Sequence, residues 1–234
     1  MSNNIIFFDT ETSGLPDKST RWVATPLNTE LWPFILQLAY IVYNPNTNTV
    51  EKTVNRIIKV VPEVIIPEES ISVHGITQEK CQKEGLPIQE VLYEFFEDVK
   101  LSRQIVAHNI EFDLNMIKIE NYRLVNNITN DKSFLEPYSK YTKKINSMKK
   151  TCTMKTTKDL CKIERYWEDG TKYNKYPTLL ELHQYVFEKD MIDLHDAIID
   201  VLTCFKCYCK LTYKNQVNSE LFDTIDKLIA TNAH

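Results

Sequence analysis

Residues 3–16 read NNIIFFDTETSGLP, and no other stretch constrains the fold as tightly. Four consecutive apolar residues, Ile5 to Phe8, describe a strand buried on both faces. Asp9 and Glu11 then continue that strand. Two positions apart on a strand, they point to the same face, about 7 Å from each other. An unpartnered buried carboxylate costs several kcal/mol. The pair therefore either sits solvated at a strand end, holds shared cations, or works as a general acid and base. The turn chemistry of TSGLP leaves the space beyond the strand open for a ligand.

The elements around this strand follow from periodicity. FILQLAYIVYN (34–44) and EKTVNRIIKVV (51–61) read as the second and third strands, and the polar turn NPNTNT between them makes an antiparallel meander. SISVHGITQEKCQKEG (70–85) predicts a loop entering a short helix, with Thr77 as N-cap and Gly85 as stop. Residues 88–99 carry apolar groups at helical spacing, RQIVAHN (103–109) reads as a short strand, and residues 111–125 form a second amphipathic helix. Further helices are predicted over residues 178–189, 196–212 and 219–230. Strands first, then strands alternating with helices, indicate an α/β fold. The expected sheet is mixed, with an antiparallel half and a parallel half flanked by helices.

A chain of 234 residues that is 43% hydrophobic builds one substantial core, so residues 1–234 read as a single domain with a lysine-rich loop or insertion at about 126–150. The net charge of −4 gives no global basic footprint; a polyanionic partner would need a local patch or bound cations. The start, MSNNIIFFD, lacks the basic and apolar regions of a secretion signal, and no stretch reaches the length of a membrane helix. The expectation is an intracellular protein, cytoplasmic or nuclear, with six reduced cysteines. Cys204, Cys207 and Cys209 cluster in an apolar helical run without a second pair at ligand spacing, which reads as a packed helix face rather than a zinc site.

Two further stretches carry chemistry. In VAHNIEFDLNMI (106–117), Asp113 falls near the start of a helix that follows a central strand, where ligands of open sheets collect. The same position also suits an acid that merely complements the helix dipole. In LHDAIIDVL (194–202), His195 and Asp200 are five apart, roughly 140° around a helix. The helix must begin between them, with Asp196 as N-cap, which leaves a loop imidazole beside a fixed carboxylate.

Together these stretches resemble the DEDDh, or DnaQ-like, 3′-to-5′ exonucleases of the RNase H-like superfamily. The ordered set is Asp9-x-Glu11, Asp113 after AHN, and His195 with Asp200 in the last motif, supported by SVHGIT (72–77) and KYPTLLELHQYVF (175–187). Departures are Ser13 in the first motif, the lysine-rich insertion, and Asp196 and Ile198 where neutral and small residues are commoner. The sister branch carries tyrosine four residues before its last aspartate; Asp196 stands there, which favours the histidine branch.

The resemblance implies an RNase H-like mixed sheet of about five strands, the first three antiparallel and the remainder parallel. It implies that Asp9, Glu11, Asp113 and Asp200 hold two Mg²⁺ or Mn²⁺ and that His195 is the general base. It further implies contacts to the terminal nucleotide from Thr12, Leu15, His74, Asn109 and Phe112, although Leu15 and Phe112 fit ordinary core positions equally well. The expected partner is nucleic acid with a free 3′ end, single-stranded or frayed, in a proofreading or repair role with DNA favoured. An RNA-trimming enzyme, a silent nucleic-acid-binding module and a hydrolase of small phosphodiesters are the alternatives. The lysines between residues 140 and 158, interleaved with Tyr138 and Tyr141, either track a phosphate backbone or form a solvated surface.

Overall fold

A computed structural model describes residues 3–127, 142–189, 195–213 and 219–232. Its centre is a five-stranded sheet in the order β3-β2-β1-β4-β5. Strands β1 (Ile5–Thr12), β2 (Ile35–Asn44) and β3 (Thr49–Ile57) pair antiparallel, whereas β4 (Gln104–Ala107) and β5 (Lys149–Cys152) add in parallel beyond β1. This is the mixed sheet the sequence implies.

Alternation along β1 divides the core in two. Ile6 and Phe8 face a layer built by α3 (Ile88–Leu101) and α4 (Ile110–Asn127), where Leu92, Phe95, Phe96 and Met116 are fully buried. Ile5 and Phe7 face the opposite layer, formed by α6 (Ala197–Tyr213) and α7 (Ser219–Asn232); α5 (Leu179–Phe187) packs beside α6. Phe7 meets the rings of Phe205 and Tyr208 edge-on, each at 5.1 Å, and Tyr43 meets Phe205 at 4.9 Å. Cys204, Cys207 and Cys209 are buried along the same helix, as a packed face. Phe205→Ala should cost about 3–5 kcal/mol in a denaturant melt, because the ring is wholly enclosed between strand and helix. A cost below 1 kcal/mol would contradict that packing.

Several local expectations change. Residues 70–74 belong to helix α1 (Glu68–His74), not a loop, and Gly75 closes it at φ 69°. Thr77 does cap α2 (Gln78–Glu84), its hydroxyl accepting the Lys80 N–H. Gly85 stops α2 through close approach rather than handedness: a Cβ there would lie 2.2 Å from the Cys81 carbonyl oxygen and 2.5 Å from the Lys59 nitrogen. The expected loop at 126–150 narrows: α4 runs to Asn127, residues 142–147 are helical and β5 begins at Lys149. The rest of it, with Tyr138, Lys140 and Tyr141, lies outside the described residues. Lys149 and Lys150 sit exposed on the edge strand, where lysines discourage pairing with another chain. A second sheet of two short strands, β6 (Glu164–Tyr166) and β7 (Lys172–Asn174), was not foreseen. Among the described residues no helix is long and apolar enough to cross a membrane.

Candidate active site

The carboxyl end of β1 carries the acids. Asp9 and Glu11 extend the Ile5–Phe7 face of the strand and so point toward α6. On that helix Asp200 lies one turn in, its N–H donating to the Asp196 carbonyl at 3.0 Å. The Asp196 carboxylate accepts the Ile198 N–H at 3.0 Å, as an N-cap should. One ligand oxygen from each of Asp9, Glu11 and Asp200 lies within 4.8 Å of the others.

Asp113 arrives from the opposite layer. Buried in the first turn of α4, it accepts two hydrogen bonds from Thr10, from the backbone N–H at 3.1 Å and the hydroxyl at 2.8 Å. Thr10 faces that layer because it lies between Asp9 and Glu11 on the pleat. One strand therefore gathers acids from both sides of the sheet.

The electrostatics match this crowding. Burial first, then the charges of Asp113 and Asp196, raises the Asp9 carboxyl far above its ordinary range. Burial and the neighbouring Asp9 push Glu11 up to about 10. Asp113 is lifted by burial to about 7 against the opposing pull of its Thr10 bonds. A group of hard oxygen donors that repel one another suits divalent cations, whose charge reverses each of these shifts. The donor set thus fits the metal that the sequence motifs imply.

His195 is exposed immediately before the cap, with φ 26°, a left-handed conformation unusual for a side-chain-bearing residue. Beyond Glu11 the chain breaks register with β2 and turns away. Ser13 anchors that turn by donating its N–H to the Phe34 carbonyl and accepting the Phe34 N–H on its hydroxyl, both at 2.9 Å. This gives the unusual Ser13 a structural task.

A pocket of about 570 Å³ opens there, lined by Glu11, Thr12, Leu15, Val73, His74 and Phe112. Leu15 is 75% exposed, which rules out a core role, whereas Phe112 is half-buried with its ring 6.1 Å from that of Trp22. His74 Nδ1 accepts the Ile76 N–H, so Nε2 carries the proton and donates to the Thr12 carbonyl at 3.2 Å. Partial burial holds its pKa below the ordinary value and keeps it neutral. Asn109 adopts φ 69° just before α4 and its carbonyl accepts the Phe112 N–H. Beside it, His108 bridges the Thr153 hydroxyl at 2.9 Å and the Pro177 carbonyl at 3.0 Å. The KYPTLLELH segment is thereby tied to the strand end that presents Asp113. Sequence reasoning missed two polar residues at this site, Thr10 and Gln37. Gln37 was visible as the one polar residue within the apolar run ILQLAY.

A mixed sheet whose central strand collects carboxylates from both flanking layers defines an RNase H-like nuclease domain. The exonuclease family model RNase_T matches residues 6–208. The chain belongs to this family of DEDDh 3′-to-5′ exonucleases, which are phosphodiester hydrolases. No curated protein matches it. Among solved structures, Exonuclease I from Methylocaldum szegediense is 17% identical with a TM-score of 0.60, over 91% of this chain and 41% of that one. E. coli Exonuclease I in complex with a dA16 oligonucleotide is 16% identical with a TM-score of 0.60, over 97% and 43%. The zinc-bound form of the E. coli enzyme with single-stranded DNA is 15% identical with a TM-score of 0.61, over 98% and 45%. The chain therefore spans less than half the length of these neighbours, and at such identity the likeness speaks for the fold.

Proposed function

We propose that this chain shortens DNA from the 3′ end, releasing nucleoside 5′-monophosphates, with Asp9, Glu11, Asp113 and Asp200 holding two Mg²⁺ or Mn²⁺ and His195 acting as general base. The observation that carries the reading is the contact trio of Asp9, Glu11 and Asp200, with Asp113 beside it, at an open strand end. When bound, divalent cations activate water and offset charge on the leaving 3′-oxygen. His195, exposed just before α6, would take the proton of the water that attacks phosphorus in line with the departing 3′-oxygen. Leu15 and Phe112 offer apolar surface to the last bases, while Thr12, fixed by His74, and Asn109 position the terminal sugar.

DNA is preferred over RNA because the neighbouring Exonuclease I structures hold dA16 and dT13 oligonucleotides, which also favours a single-stranded or frayed 3′ end. A role in proofreading or repair inside the cell, in cytoplasm or nucleus, suits this substrate and the six unpaired thiols.

The test uses 5′-labelled DNA and RNA strands of one sequence with Mg²⁺, Mn²⁺ or EDTA, and His195→Ala as control. The expected result is a metal-dependent ladder shortening from the 3′ end, faster on DNA, slowed by about 10²–10⁴-fold in the control. Intact strands that remain bound to the protein would replace this reading with a silent binding module.

A further inference from the structure

We infer that Gln37 is a positioning residue that holds His195 in working orientation; the inference rests on the general-base role proposed above. Gln37 lies on β2 directly opposite Glu11, on the face that looks toward α6, and is only 2% exposed. An amide buried at that depth is costly unless its hydrogen-bonding groups are satisfied.

Its partners lie on β3 and at the start of α6. The Gln37 amide nitrogen donates to Asn55 Oδ1 at 2.8 Å and to Asp196 Oδ1 at 3.3 Å, while its carbonyl oxygen accepts the Ala197 N–H at 3.3 Å. The orientation of this amide is forced, because a backbone N–H can only donate and a carboxylate can only accept. Reversing oxygen and nitrogen would break both contacts to the loop.

The two residues so gripped follow His195 directly. Asp196 is also bound to the Ile198 N–H, so cap, helix start and β2 form one unit. His195 itself stands at φ 26°, a conformation that a residue with a side chain holds only where its surroundings impose it. Gln37 supplies part of that constraint, and it does so from an interior strand of the sheet. Asp200 lies a turn further along α6, and that helix is anchored independently of Gln37 by the packing of Phe205 and Tyr208 on Phe7. Loss of the Gln37 side chain should therefore misplace the imidazole while leaving the acids in place.

The experiment compares Gln37→Met, Gln37→Glu, His195→Ala and the doubles of each Gln37 variant with His195→Ala, in single-turnover digestion of labelled DNA, with Mg²⁺ titrations and thermal melts. Gln37→Met keeps the volume and removes the amide. Gln37→Glu keeps the acceptor for Ala197 but turns an oxygen toward Asp196. The expected result for each at saturating Mg²⁺ is a fall in the single-turnover rate of about 10–100-fold, as for a displacement of about 1 Å, with the Mg²⁺ midpoint unchanged for Gln37→Met and shifted by the added charge for Gln37→Glu. In the His195→Ala background the same changes should alter the rate less than twofold. Equal losses in both backgrounds, or no loss in either, would overturn the positioning role and leave the general base standing. A His195→Ala enzyme as fast as the unaltered one would overturn the general base and this role with it. If Gln37→Met does not fold, Gln37→Glu carries the same comparison.

Discussion

Asp200→Asn will slow 3′-end shortening by about 10³-fold or more, yet the metal-free protein will melt at a higher temperature than the unaltered one. The first effect follows from losing a charged oxygen donor where, on the proposed reading, cations would stabilise developing charge. Such stabilisation is worth several kcal/mol, and each 1.36 kcal/mol is tenfold in rate. The second follows from the contact trio. Asp200 is one of the charges that raises the Glu11 and Asp113 carboxyls, so an amide in its place relieves repulsion. Its backbone role in α6 is untouched by the change. Melts in EDTA, paired with ladder assays in Mg²⁺, check both halves. A variant that loses activity but also melts markedly lower in EDTA would show that Asp200 serves the fold rather than a metal site.

The second large effect is on pH. Glu11 holds its proton up to about 10 in the folded metal-free protein, against 4.5 ordinarily; Asp113 holds its own to about 7 against 3.8, and Asp9 is raised in the same direction. Between the two values the folded chain binds protons that the unfolded chain has released, so unfolding releases protons and stability falls as pH rises. For these groups the contribution is complete below about pH 4 and is lost as pH climbs through 7 toward 10. Each retained proton is worth about 1.4 kcal/mol per pH unit. In EDTA the melting temperature should therefore drop by roughly 3–6 °C per pH unit between pH 6 and 9 for one retained proton. Mg²⁺ displaces the protons and should flatten this slope, so that the stabilisation by metal grows with pH. Thermal melts across that range, with and without Mg²⁺, decide the matter; a metal-free protein that gains stability with pH would refute the assignment of the shifts.

Much of this site is legible in the sequence because its acids sit where periodicity changes. Asp9 and Glu11 interrupt an apolar strand, and Asp200 follows a cap that only a helix start can explain. The placement of Asp113 on Thr10 was not legible, since it depends on which layer α4 joins, a fact that periodicity within α4 does not contain. Gln37 stood out as a polar residue in an apolar run, but its task was hidden for a related reason: its partners at the start of α6 are 159 and 160 positions away. The elements that escaped notice are short and polar. EESISVH has no fully buried residue to mark its face, and KKTC is a four-residue edge strand. The β6–β7 hairpin did leave a signal, the Asp-Gly of RYWEDGTKYN between aromatic residues, with Gly170 at φ 81° in the turn. Trp167 and Tyr173 stack across it at 4.3 Å.

The acids converge on β1 from layers built at different times. Thr10 and Asp113 are 103 positions apart, and Asp200 follows only after most of the chain. A ribosome adds about 5–20 residues per second, so a growing chain carries Asp9 and Glu11 for many seconds before Asp200 exists. Until α6 docks against Phe7, no half-made molecule can assemble the set. Under the proposed function, a nascent copy without α6 would lack the full donor set, and its activity would arrive only with the finished fold.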